Sequence, residues 1–347
     1  MKTQRVRVCF IGCGNHAAGF IYPSLLKVPA AELCAIAALD PGNAGAAAKR
    51  YGAGNSYSDY RKMIDTEKPE AVIIVGPPKL HYEAGKFCLE RQIPFFIEKP
   101  PGENLEQASE LAALSEKYKT FGQVGFMMRH SGIMKKAAES IENEKLGRIV
   151  HGSVKYYTSG PYHSDVFYGL PGTDDLSYLW RYLIVQAVHP VNLAAGFLGM
   201  VAHVETEVIF SGENILVSIR LKDVAGTVFD VLLHTFVAPG YGNLEFRTEL
   251  ITENRGMLFA DNFSALKIYL PQPPREYLDG GNRNMLAWEF ATFGNNNVKL
   301  GFETEIATFV NSVQTGKTPC TDLKDGMKTM QILTDVYNHV KKSLEEK

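Results

Sequence analysis

In the first third of the chain, apolar residues come in short runs separated by helical patterns. Val6 to Ile11 is almost continuously apolar, as expected of a parallel strand buried on both faces. A glycine turn and a helical pattern from about His16 to Val28 follow, then a second apolar run from Glu32 to Leu39 that ends at Asp40. The alternation continues through helix Asn43–Tyr51, strand Ala71–Val75, helix Leu80–Arg91, strand Pro94–Ile97, helix Leu105–Tyr118 and strand Phe121–Phe126. Strand and helix in turn predict βαβ units with right-handed crossovers, and so a doubly wound parallel sheet over residues 1–125.

After about Gly125 the rhythm changes. A helix over Ile133–Glu144 leads into strand-like segments at Arg148–Thr158, His203–Phe210, Ile215–Leu221, Thr227–Phe236, Leu244–Thr252, Gly256–Ala260 and Leu266–Leu270. Several alternate apolar with polar, as Ser153-Val154-Lys155-Tyr156 does, which predicts antiparallel sheet with one covered face. Helices Gly301–Thr315 and Asp325–Lys342 close the chain. The expectation is an α/β protein whose second domain, residues 126–347, is α+β with an open, mostly antiparallel sheet. The span Ser159–Ser177, rich in Gly, Pro, Tyr, His and Asp, reads as a long loop, and such loops inside compact domains usually carry function.

Composition narrows the function classes. A length of 347 residues suits two domains, and 36 basic against 38 acidic residues give no reason to expect nucleic acid or an anionic membrane as partner. The start runs straight into a strand pattern without the apolar core of a signal peptide, and no stretch approaches the roughly 18 apolar residues of a membrane helix. Five scattered cysteines, Cys9, Cys13, Cys34, Cys88 and Cys320, never spaced C-x-x-C, read as reduced thiols of a cytoplasmic protein. No H-E-x-x-H or comparable cluster appears, so no metal is expected.

The glycine turn carries the first chemistry. Gly12-Cys13-Gly14-Asn15-His16-Ala17 fits G-x-G-x-x-[GA] between a strand and a helix, the Rossmann dinucleotide signature. Gly12 allows the tight turn, Gly14 lets the backbone approach a pyrophosphate, and small Ala17 permits close helix–strand packing. The helix N-terminus, with Asn15 and His16, then offers N–H groups to the phosphates. Asp40 stands at the expected distance to accept both ribose hydroxyls, and Pro41-Gly42-Asn43 supplies no arginine for a 2′-phosphate. NAD is therefore expected over NADP.

Two further strand ends stand out, because ligands in open α/β sheets bind at the strands' carboxyl ends. Val75-Gly76-Pro77-Pro78 ends one, with His81 just inside the next helix, and Glu98-Lys99-Pro100 ends another. With Asp40, Gly125-Phe126…Arg129 and Gly301-Phe302, these residues make the chain resemble the glucose–fructose oxidoreductase / inositol dehydrogenase family over essentially its whole length. The resemblance implies that Pro77, His81, Glu98 and Lys99 border the cofactor, with Lys99 the leading catalytic residue. It implies a second catalytic residue, His189, in Val185-Gln186-Ala187-Val188-His189-Pro190-Val191-Asn192. It also implies that the open sheet joins copies of the chain, as a homodimer or homotetramer.

The sequence departs from the family pattern here. An aspartate commonly stands four residues before that histidine and another three after it; this chain has Val185 and Asn192. Residues four apart share a helix face, so Val185 gives His189 no carboxylate, and a neutral imidazole is expected unless Asp174 or Asp175 reaches it. Arg129, Tyr157, His163, Trp180, Arg181 and Asn192 are candidate contacts for a polyhydroxylated ring. The expected activity is hydride transfer between a hydroxyl-bearing carbon of a sugar, glycoside or cyclitol and nicotinamide. Its rivals are redox-assisted glycoside cleavage with retained NAD and a non-enzymatic NAD-binding regulator.

Overall fold

The structure, a computed structural model, describes residues 5–158, 174–237, 244–271, 284–289 and 296–346. The chain divides into two compact units, Met1–Met127 with Phe302–Gln331, and Met128–Gly301 with Ile332–Lys347.

In the first unit, β1 (Val6–Ile11), β2 (Ala31–Ala37), β3 (Asn55–Tyr57), β4 (Ala71–Ile74), β5 (Phe95–Glu98) and β6 (Gly122–Gly125) form one sheet in the order β3-β2-β1-β4-β5-β6. Every neighbouring pair is parallel. The order reverses between β1 and β4, the switch point of a doubly wound Rossmann sheet. Its middle strands are buried on both faces, Val8, Phe10, Ile73 and Phe96 completely so, which accounts for their unbroken apolar runs.

The connecting helices are α1 (Tyr22–Leu26), entered through a π-wound turn at Ala17–Ile21, α2 (Pro41–Tyr51), α3 (Tyr60–Glu67), α4 (Pro78–Glu90) and α5 (Leu105–Tyr118). Local chemistry fixes their ends. Asp40 caps α2 by accepting the Asn43 amide at 2.7 Å, Pro41 opens the first turn, and Gly52 closes the helix at φ 76°. Asn104 caps α5 in the same way.

The second unit holds α6 (Gly132–Asn143), β7 (Ile149–Tyr157), α7 (Asp175–Tyr182), α8 (Val188–Phe197) and the strands β8 (Val201–Ser211), β9 (Asn214–Asp223), β10 (Val228–His234), β11 (Glu245–Thr252), β12 (Met257–Asp261), β13 (Ala265–Tyr269) and β14 (Met285–Glu289). The short helix α9 (Asn296–Leu300) follows. The sheet order is β14-β13-β12-β11-β7-β10-β9-β8, antiparallel throughout except for the central β7–β10 pair. Helix α8 packs against β7 and β10. On the other side lie exposed apolar side chains, Ile209, Met257 and Met285 among them.

The last helices, α10 (Phe302–Thr315) and α11 (Leu323–Glu345), depart from the sequence expectation that everything after residue 125 belongs to the second domain. Phe302–Gln331 returns to the first unit. The apolar stripe of α10 is the cause: Phe302 packs on Phe20 at 4.7 Å between ring centres, and Phe309 meets Phe96 and Phe121.

Candidate active site

The carboxyl ends of β1, β4 and β5 share one edge of the parallel sheet, and the first unit's candidate residues gather there. Gly12 leaves β1 at φ 105°, and a Cβ at this position would stand 1.9 Å from the Val75 carbonyl oxygen. No other residue fits so close a backbone approach. The turn is pinned by the Gly12 amide on the Ala37 carbonyl at 2.8 Å and by the Tyr22 hydroxyl, which donates to the Gly12 carbonyl at 2.9 Å.

Glu98 and Lys99 end β5, both nearly inaccessible at 4% and 8% exposure. Glu98 Oε1 accepts from His16 Nε2 at 3.0 Å, and its Oε2 accepts from the Lys99 amide at 3.2 Å. This joins the glycine turn to the lysine-bearing strand. Burial alone would raise the Glu98 carboxyl, but His16 and the charge of Lys99 outweigh it and hold the group below its ordinary range. Gly125 on β6 makes room, since a Cβ there would lie 3.1 Å from the Glu98 carboxyl.

His81 behaves differently from the sequence expectation. It is fully buried; Nδ1 donates to the Pro100 carbonyl at 2.8 Å, and Nε2 accepts from the Gly76 amide at 3.2 Å. With both nitrogens taken by backbone, His81 ties the end of β4 to the loop that follows Lys99. Pro77 caps the same helix, α4, through its backbone alone. Burial pushes the His81 imidazole down to about 4, although its bond to Pro100 works the other way. A base whose folded value lies below its unfolded 6.5 is stabilising at neutral pH, and that stability is lost as pH falls towards 4. Wild-type protein should lose about 3 kcal/mol from this group between pH 7 and 4, seen in urea melts, and His81→Gln should lose less over the same range. Equal acid losses in the two proteins would disprove it.

The cradle fits a dinucleotide. A Cβ on Gly14 would meet no atom within 4 Å, so the turn leaves open space where a pyrophosphate is expected to approach. Asp40 is exposed at the end of β2 with Oδ1 on the Asn43 amide, which leaves Oδ2 for ribose hydroxyls.

The second unit brings its candidates to α7, α8 and the ends of β7 and β10. Tyr157 stacks on His234 at 3.9 Å between ring centres. Trp180 sets its edge on Tyr337. Arg181, His189 and Asn192 are buried, and Arg129 crosses so near Gly196 that a Cβ there would stand 2.8 Å from its Nε. Asp174 is committed as the cap of α7, accepting the Ser177 amide at 3.0 Å and the Ser177 hydroxyl at 2.8 Å, which hold its carboxyl below the usual range. His163 lies outside the described residues. The His16–Glu98 bond could not be read from sequence, because it depends on strand order. Glu305 is legible in sequence only as an acid within the apolar stripe Phe302, Ile306 and Phe309.

Residues 6–126 match the family model described as an oxidoreductase family with an NAD-binding Rossmann fold. Over these residues, the first third of the chain, the protein is similar to the Gfo/Idh/MocA oxidoreductases. Inositol 2-dehydrogenase of Rubrobacter xylanophilus is 30% identical over 149 residues, which is 43% of each chain and so less than half of that relative. Myo-inositol 2-dehydrogenase of Thermotoga maritima is 22% identical across 99% of this chain and 97% of its own. A dehydrogenase structure from Chromobacterium violaceum has the same fold, with a TM-score of 0.88, 20% identity, and 99% and 98% of the two chains covered.

Proposed function

We propose that this protein is an NAD-dependent dehydrogenase of a secondary hydroxyl on a sugar, glycoside or cyclitol. The observation that carries the reading is the buried Glu98–Lys99 pair, bonded through His16 to the dinucleotide turn within one unit. Bound NAD would supply the hydride acceptor at nicotinamide C4. The turn Gly12–His16 would hold the pyrophosphate on backbone N–H groups, and Asp40 the ribose. Lys99 would take the hydroxyl proton. In the second unit, His189 is assigned to proton handling, and Arg129, Tyr157, His163, Trp180, Arg181 and Asn192 to the substrate's hydroxyls and ring face. The inositol dehydrogenases among the relatives favour a cyclitol or sugar ring over a straight-chain acid. Formation of NADH with a panel of sugars, glycosides and cyclitols tests the reading, with His189→Asn expected to be slower. Product release without net NADH would instead point to redox-assisted cleavage.

The exposed apolar side chains on the second sheet, including Ile209, Met257 and Met285, favour assembly into a homodimer or homotetramer. Light scattering at micromolar concentration should give a multiple of the chain mass, and a monomer at every concentration would refute this.

A further inference from the structure

Helix α10 carries an acid on its buried face. Glu305 is 0% exposed, and neither carboxyl oxygen has a hydrogen-bond partner among the described residues. Gln123 of β6 donates through Nε2 to the Glu305 carbonyl at 3.1 Å, while its own Oε1 is also buried without a partner. Two titratable groups bear on Glu305, Glu98 from the end of β5 and Cys320 from the loop before α11. The Phe126 amide, already donated to the Val124 carbonyl at 2.8 Å, is the backbone group that favours its charge.

An ionised carboxylate removed from water, without partners, takes up a proton rather than remain charged. Two neighbouring buried carboxyls also resist ionising together. Glu98 has His16, the Lys99 amide and the nearby Lys99 charge to support an anion. Glu305 has only the Phe126 amide, which is already donated to the Val124 carbonyl, and no cation among the described residues. Burial and the charge of Glu98 push its carboxyl well above the ordinary range.

We propose that Glu305 is the neutral, proton-bearing member of a carboxyl pair with Glu98 and serves as a positioning residue of the nucleotide site. By holding the proton, it leaves the pair's single negative charge on Glu98, where His16 and Lys99 meet it. The consequence for the site rests on the reading of Glu98 and Lys99 given above; the pairing itself does not.

Infrared difference spectroscopy across pH 5 to 10 reads the proton directly. Wild-type protein at pH 7 should show a protonated-carboxyl C=O band that shifts in D₂O and is missing from Glu305→Gln. In Glu98→Gln, with the neighbouring charge removed, the band should disappear at a pH lower by about one unit or more. Stability supplies an independent reading. Folded wild-type protein keeps a proton that the unfolded chain releases above the ordinary carboxyl range, so its stability falls with rising pH. The ratio of unfolding constants, wild type over Glu305→Gln, should therefore grow by up to about tenfold per pH unit above pH 5. If Glu305→Gln does not fold, ¹³C-glutamate labelling of unaltered protein must still shift the band. Absence of the band at pH 7, a band indifferent to Glu98→Gln, or a stability ratio constant with pH would overturn the proposal. None of these readings needs turnover, so they can fail while Lys99 proves catalytic, and can hold if it does not.

Discussion

Lys99→Met should lower kcat by roughly 10²- to 10⁴-fold, the usual worth of general acid–base catalysis, while changing NAD affinity far less. Oxidising an alcohol requires a base at the hydroxyl oxygen as the hydride leaves. Among the described groups of the first unit's sheet edge, Lys99 suits that task best. His81 has both nitrogens on backbone, and Glu98 is held by His16 and the Lys99 amide. Methionine keeps most of the side-chain volume and removes the amine, so packing at this buried position should survive. The check is kcat against pH for both proteins, with NAD titrated separately by fluorescence. A variant keeping more than about a tenth of wild-type kcat, with an unaltered pH profile, would remove Lys99 from the chemistry.

Asp40→Ala should weaken NAD binding on the order of 10- to 150-fold, which corresponds to losing a charge-assisted hydrogen bond of about 1.5–3 kcal/mol. The same substitution removes the cap of α2 and should cost about 1 kcal/mol of stability. Asp40→Asn separates the two roles. Asparagine still accepts the Asn43 amide, so stability should be retained, but the negative charge facing a 2′-phosphate is gone. Wild-type protein should prefer NAD over NADP in titrations, Asp40→Asn should narrow that preference, and thermal melts should show Asp40→Ala alone destabilised. Equal affinity of the unaltered protein for NAD and NADP would contradict the role given to Asp40.

The parallel sheet is legible in sequence because strands buried on both faces are unbroken apolar runs, and the run Val6–Ile11 coincides with β1. The edge strand β3 is not, since Asn55-Ser56-Tyr57 is short and largely polar. The helical stretch from Asp175 to Phe197 escaped for the opposite reason. From Leu183 to Ala194 it is buried on nearly every side and shows no amphipathic period, and it is wound as a π-helix over Leu183–Ala187. That winding also departs from the regular four-residue spacing assumed between Val185 and His189. The parallel β7–β10 pairing inside an antiparallel sheet left no mark on either strand's alternation.

At the site, residue types could be read but partners could not. Gly12, Gly14, Asp40 and the Glu98–Lys99 element stand at the sheet edge where glycine-turn chemistry and strand ends place them. His81 was legible as a histidine near that edge, yet its burial against Pro100 and Gly76 depends on where the chain passes after β5. Glu305 feels the charge of Glu98 only because α10 returns to the first unit across a long separation in sequence.

The most direct test of the account follows the hydride itself. The protein would be given NAD and a ring substrate deuterated at the carbon to be oxidised, and the cofactor recovered and analysed by mass spectrometry and NMR. The account predicts deuterium on nicotinamide C4 of the reduced cofactor, in step with the ketone formed. Substrate turnover with no deuterium in the recovered nicotinamide would contradict it.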